Sequence, residues 1–170
     1  MPTDEELIGL VAEGDQRALE DLLHRYERPL TGFIARQTGD RDVEDLYQET
    51  WMRVVRHASR FERSKRFSTW MFQIAVNLCR DWHRRRPPDP TPASDPGGAT
   101  DLGRAEAGLD ATRLLAELPE QQREVVVLRY YYDLSEDDMA SILGCPKGTV
   151  KSRLHHALAR LGARVRREAR

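Results

Sequence analysis

Between residues 16 and 37 the apolar side chains Leu19, Leu22, Leu23, Tyr26, Leu30, Phe33 and Ile34 recur every three or four positions, with charged residues between them. That period lines one face of an α-helix, and Asp15 just ahead of it has the short acceptor side chain of an N-cap, so a helix from about Gln16 to Gln37 is predicted. After the turn-like TGDRD the period resumes near Asp42 with Val43, Leu46, Tyr47, Thr50 and Val54. A third helix is predicted in FSTWMFQIAVNLCRDWHRRR, with Ser68 as its cap and Phe67, Met71, Ile74, Ala75, Leu78 and Trp82 as its buried stripe. No alternating strand pattern of useful length occurs, so the fold class is all-α.

The pattern stops at Pro87. PPDPTPASDPGGATDLGRAEAG, residues 87–108, holds five of the nine prolines and almost no large apolar side chain, so it cannot bury enough surface to offset its ordering entropy. It is read as a flexible linker, which at full polyproline extension would reach about 70 Å and let the flanking halves dock far apart. Beyond it, helices are predicted from about Ala107 to Glu117 and from LPEQQREVVVLRYYY, with Pro119 at a first helical position.

A shorter unit follows. LSEDDMASILG pairs Ser135 and Asp138 at capping-box spacing and ends on Gly144, a left-handed stop; Pro146 then opens a last helix. Helix, tight turn and helix form a helix-turn-helix. In the last helix Val150, Leu154, Ala157, Leu158 and Leu161 share a face able to pack on Met139, Ile142 and Leu143. The opposite surface carries Lys147, Lys151, Ser152, His155 and His156 near the helix start, the end that such a motif inserts into the major groove. Gly148 and Thr149 leave first-turn amides and a hydroxyl open to a phosphate.

The chain has 170 residues, 39% hydrophobic and 32% charged, with a formal net charge of −1. Its distribution says more than its sum. Residues 1–24 hold seven acids against Arg17, whereas residues 144–170 hold eight Lys or Arg against Glu168, and RDWHRRR forms a second basic cluster at 80–86. Two basic surfaces on a balanced chain point to polyanion contact at two places. No apolar run is long enough for a membrane span and the acidic start lacks a basic secretory leader, so a cytoplasmic location is expected.

Other chemistry finds little support. Cys79, His83 and His57 fall short of the four ligands of a structural zinc, and the two cysteines lie far apart in sequence, so reduced thiols are expected. Asp42, Glu44, Asp45 and Glu49 could suggest a two-metal nuclease, but they diverge around their helix. With no Gly-rich phosphate loop, nucleophile motif or Ser/His/Asp arrangement, no catalytic residue, cofactor, metal or small-molecule substrate is expected. A stand-alone helix-turn-helix regulator binding duplex operator DNA remains the main alternative, with the metal-dependent nuclease a remote one.

LPEQQREVVVLRYYYDLSEDDMASILGCPKGTVKSRLHHALARL, residues 118–161, resembles region 4 of the extracytoplasmic-function (ECF) group of bacterial RNA polymerase sigma factors. DVEDLYQETWMRVVRH and RFSTWMFQIAVNLCRDWHRRR resemble region 2 of that family. The resemblance implies a region 2 helical bundle at 1–86, the linker at 87–108, and a region 4 helix-turn-helix of the winged-helix-like DNA-binding class at 109–170. It also implies a transcription initiation factor that partners core RNA polymerase and promoter DNA and is commonly restrained by an anti-sigma factor.

Residue by residue, the resemblance assigns Asp45, Gln48, Glu49 and Met52, at i, i+3, i+4 and i+7, to docking on the beta-prime clamp helices, while region 4 meets the beta flap. FERSKRF matches the loop that takes up a flipped base of the nontemplate minus-ten strand. Phe61, Ser64, Lys65 and Arg66 there, with Asn77, Arg80, Arg84 and Arg85 on the following helix, form the minus-ten set; a base must leave its stack to be read, and cations must hold the freed strand. Trp70 and Trp82 are read as core packing. The minus-thirty-five set is Lys147, Thr149, Lys151, Ser152, Arg153, His155 and His156. His156 stands where relatives commonly carry arginine, which implies a weaker guanine contact that fades as pH rises.

Overall fold

The computed structural model describes residues 1–86 and 111–169. The expected linker and the expected helix start at Ala107 therefore lie outside the described residues. Within them the chain is helical and has no strand.

The N-terminal half opens with a helix absent from the sequence-based expectation. α1 spans Asp4–Ala12 behind a full capping box, in which the Thr3 hydroxyl accepts the Glu6 amide and Glu6 returns to the Thr3 amide. α2, Gln16–Thr38, starts as expected, with the Asp15 carboxylate accepting from the Arg17 and Ala18 amides, and stops at Gly39 in the left-handed region. α3 spans Val43–His57. A 3-10 turn at Ala58–Arg60 leads to α4, Phe67–Arg85.

Two details of α4 correct the expectation. Ser68 is not its cap: the first amide of the helix, on Phe67, donates to Glu5 Oε1 at 2.9 Å, so α1 supplies the acceptor from outside. The buried stripe is also broader and shifted. Phe72, Val76 and Cys79 join Phe67, Met71, Ala75 and Leu78 in the core, whereas Ile74 and Trp82 are only partly covered.

In the C-terminal half, α5 occupies residues 111–116 and α6 spans Glu120–Tyr130. Pro119 sits one position earlier than predicted, as the cap, where its carbonyl accepts the Arg123 amide at 2.9 Å. Six consecutive residues of α6, Arg123 to Leu128, are buried. An amphipathic helix cannot bury six in a row, so α6 is enclosed on all sides, by α2, α7 and α8.

α7, Glu136–Leu143, is capped by Ser135, whose hydroxyl accepts the Asp138 amide at 3.1 Å, and ends on left-handed Gly144 (φ 64°). α8 spans Lys147–Glu168. Its face packs through Val150, Leu154, Ala157 and Leu161 on the core containing Met139, Ile142 and Leu143; Leu158, expected on that face, is 45% exposed because it lies at the edge of that stripe, whereas Leu161, one turn further along, still packs.

The two halves do not stand apart. α7 packs along α4 and α6 packs on α2, so the second buried face of α4 is covered by the C-terminal half. Tyr132 is the plug: its ring meets Phe33 and Phe72 at centroid distances of 6.2 and 5.1 Å, and its hydroxyl donates to the Pro29 carbonyl at 2.7 Å. Edge-on aromatic contacts of this kind add to the burial itself.

Candidate nucleic-acid interface

α8 is aimed by the short α7 and the Gly144 turn. Its apolar face is fixed against Met139 and Ile142, which leaves Lys147, Lys151, Ser152, His155 and His156 exposed along the first three turns, with Thr149 and Arg153 half-buried beside them. Lys147 pairs with Asp137 at 3.2 Å and Lys151 with Glu136 at 3.7 Å, both acids lying in the first turn of α7. The Arg153 guanidinium rests 3.8 Å from Cys145 Sγ. The His155 and His156 rings meet edge to face at 5.8 Å. The seven residues predicted for this surface are thus brought together on one helix.

The residues predicted around α4 are less uniformly presented. Ser64, Lys65, Asn77, Arg84 and Arg85 are exposed. Lys65 pairs with Glu62 at 3.2 Å and Arg84 with Asp81 one turn earlier. Phe61 is not free: it packs 5.2 Å from Trp70 and 6.2 Å from Phe67. Trp82 donates its indole N–H to Asp42 at 2.7 Å beneath the Arg86 guanidinium, so it too is engaged within the fold.

Arg80 and Arg66 reach across to the other half. Arg80 Nε and Nη2 donate to the two carboxylate oxygens of Glu124 at 2.8 and 2.9 Å. This bidentate carboxylate holds the guanidinium pKa above its ordinary value. Arg66 meets Asp138 at 3.4 Å. Next to the first pair, Arg123 is buried against Gln37 and His83; burial pushes its pKa down. The His83 ring bonds the Gln37 carbonyl at 2.8 Å, and burial first, then the Arg123 charge, lower its pKa. Burial likewise pushes the Cys79 thiol up to about 12.

On α3, Asp45, Gln48 and Met52 are exposed and Glu49 half-exposed along one surface, with Met52 55% open. Gln48 donates to Glu44 at 3.0 Å and Glu49 accepts from Arg53 at 2.9 Å. Met52 thus sets a soft, adaptable thioether at the surface among carboxylates. Among the described residues no cluster of three or more His, Cys, Asp or Glu could hold a metal, and no helix is long and apolar enough to cross a membrane.

Family models for Sigma-70 region 2 and Sigma-70 region 4 match residues 22–87 and 109–161. The chain is 32% identical to the ECF RNA polymerase sigma-E factor of Escherichia coli K12, over 91% of this chain and 90% of that one. It belongs to the ECF group of sigma-70 family RNA polymerase sigma factors. The sigma-E factor of Haemophilus influenzae is 29% identical, over 91% of each chain. Two solved structures share the fold across both halves. CnrH in complex with the cytosolic domain of CnrY has a TM-score of 0.75 at 28% identity, over 95% of this chain and 96% of that one. The sigma factor RpoE in complex with the anti-sigma factor NepR from Bartonella quintana has a TM-score of 0.70 at 25% identity, over 87% and 96%.

As an ECF sigma factor the chain serves promoter-specific transcription initiation. Sequence reasoning passed over the ring of Gln37, His83, Arg123 and Glu124 that joins region 2 to region 4. The signal for it was present in REVVVL: a charged pair running straight into four apolar residues leaves no helical face for solvent, so the charges must find partners inside the protein.

Proposed function

We propose that this sigma factor divides its work among three surfaces. Region 2, residues 1–86, docks on the beta-prime clamp helices of core RNA polymerase through Asp45, Gln48, Glu49 and Met52. Phe61, Ser64, Lys65, Arg66, Asn77, Arg80, Arg84 and Arg85 then capture unstacked bases and phosphates of the nontemplate minus-ten strand. Region 4, residues 109–170, meets the beta flap and reads the minus-thirty-five element with α8, where Lys147, Thr149, Lys151 and Arg153 anchor phosphates and Ser152, His155 and His156 face base edges. Residues 87–108 join the two. The chain acts in the cytoplasm, carries no catalytic residue of its own and is restrained by an anti-sigma factor.

The observation that carries this reading is the open, polar N-terminal surface of α8, held rigid by α7, in a chain whose region 2 presents a second basic surface. Each surface alone is a modest contact. Polymerase fixes their separation and turns two weak contacts into one engagement at high effective concentration.

Transcription by core polymerase plus this chain on a genomic fragment library, with start-site mapping, tests the proposal. Start sites sharing spaced minus-thirty-five and minus-ten elements are expected. Tight duplex binding by the chain alone at physiological salt, without initiation, would instead favour a stand-alone operator-binding regulator.

A further inference from the structure

Arg80 stands between Asn77 and Arg84 on the strand-binding side of α4, yet its guanidinium is bonded to region 4 and only 29% exposed. Besides the two bonds to Glu124, its Nη1 and Nη2 lie 3.4 and 3.5 Å from the Leu143 carbonyl at the end of α7. Two acceptor oxygens in the plane of the fork are what a phosphate would offer. Glu124 is 2% exposed, so it is held in place rather than sampling solvent. Arg66 makes a weaker contact of the same origin: it stays 71% exposed and meets Asp138 of region 4 through one nitrogen at 3.4 Å, on an oxygen that also accepts the Ser135 hydroxyl. Asn77, Arg80, Asp81 and Arg84 share with Glu120 and Gln121 of α6 a cleft of about 500 Å³, so carboxylates from both halves face the path of a polyanion there.

We propose that Glu124 is a resident phosphate mimic: region 4 closes the free chain by seating this carboxylate on the strand-binding Arg80, so that Glu124 and the nontemplate strand compete for one guanidinium. The proposal rests on the assignment of Arg80 to the minus-ten strand. Asp138 adds a single, exposed contact at Arg66, and the Tyr132 plug supplies the apolar part of the closure. Opening exposes Arg80 only when something holds region 4 elsewhere. Core polymerase, by separating the two regions, meets that requirement and makes strand capture conditional on assembly.

Two sets of full-length variants test this. Glu124→Gln combined with Asp138→Asn keeps side-chain shape and removes both mimicking charges. In the free chain it should raise the affinity for a fluorescein-labelled oligo-dT strand on the order of tenfold, the worth of one charge-assisted contact. With core polymerase present, where the clasp is already open, the gain should vanish. Independently, Arg80→Glu should raise the radius of gyration in X-ray scattering, and adding Glu124→Lys should restore the compact value.

A folded Arg80→Glu chain as compact as wild type overturns the clasp. If scattering follows the expected course but oligo-dT affinity is the same in every variant, the assignment of Arg80 to DNA fails, and the mimicry with it. A gain that persists equally with polymerase shows a general charge effect and likewise overturns the competition.

Discussion

Region 2 and region 4 both carry cations suited to nucleic acid, but the acids that steady them come from different places. On α8, Lys147 and Lys151 pair with Asp137 and Glu136 of the neighbouring α7, all within region 4 and open to solvent. Such pairs are worth little and break freely, so the lysines stay available. On the region 2 side Lys65 and Arg84 also pair within their own half, with Glu62 and Asp81, but Arg80 and Arg66 are paired with Glu124 and Asp138, which belong to the other half. An acid from the same half orients a cation without hiding it; an acid from the opposite half makes the cation's release depend on a change of domain arrangement. The cations of α8 are therefore open in the free chain, whereas Arg80 is covered by the other half.

The strongest blow to that comparison falls where both halves share a core. Phe33 is fully buried between Phe72 and Tyr132, at centroid distances of 5.5 and 6.2 Å. Phe33→Ala should cost about 3–5 kcal/mol in urea-induced unfolding, because the cavity opens beneath the plug as well as within region 2. Tyr132→Phe is the sharper variant. It keeps the ring and removes the hydroxyl with its bonds to the Pro29 carbonyl and Arg36, and should cost about 1 kcal/mol. Loss of stability in Phe33→Ala no greater than in Tyr132→Phe would mean that the halves are joined by polar contacts alone.

The next effect stays within region 4. Ser135→Ala removes the hydroxyl that caps α7 and should lower stability by about 1 kcal/mol in thermal unfolding. Since α7 aims α8 and also lies along α4, the loss should reach both readers. A region 4 that melts at its wild-type temperature in this variant would show that packing on α4, not the cap, sets the stability of α7.

These contacts also separate what the sequence discloses from what it hides. Local chemistry was legible: Asp15, Ser135 and Gly144 begin and end their helices as their side chains and backbone freedom dictate. α1 was equally legible through Thr3 and Glu6, but its nine residues carry too short an apolar period to stand out. The face of α4 made by Phe72, Val76 and Cys79 was not legible, because what covers it lies far along the chain, from Phe33 on one side to Tyr132 on the other, and is chosen by tertiary packing. Ser68 failed as a cap for the same reason, since a distant Glu5 took its place. At the candidate site, exposure of the α8 surface followed from the helical period, whereas commitment of Arg80 to Glu124 could be seen only once the halves were placed together.

Acidity should loosen the closed arrangement by a smaller amount. His83 faces Arg123 and Glu124 of α6, Arg41 beyond α2, the Gln37 carbonyl and the edge of Trp82. Its pKa is lowered in the closed chain, so closure favours the neutral ring. The contribution is complete above the ordinary imidazole value of about 6.5 and is lost as pH falls through the depressed one. Glu120, whose pKa burial raises, acts in the opposite sense and lower on the scale. The radius of gyration should therefore increase modestly between about pH 7.5 and about pH 5.5, and His83→Gln should flatten the profile. A variant that keeps the full pH response would place the titration elsewhere.

The smallest expected change leaves closure untouched and concerns only the open reader. His156 is exposed on α8 beside His155, with no contact to region 2. A guanidinium in its place carries a fixed charge and can grip guanine through two parallel bonds, a geometry that an imidazole lacks. His156→Arg should leave the unfolding midpoint and radius of gyration at their wild-type values. It should also raise holoenzyme affinity for a minus-thirty-five duplex several-fold. Affinity unchanged in the variant would show that this position makes no contact with a base edge. The asymmetry between the regions would then rest on exposure alone, with α8 anchored by its lysines, threonine and Arg153.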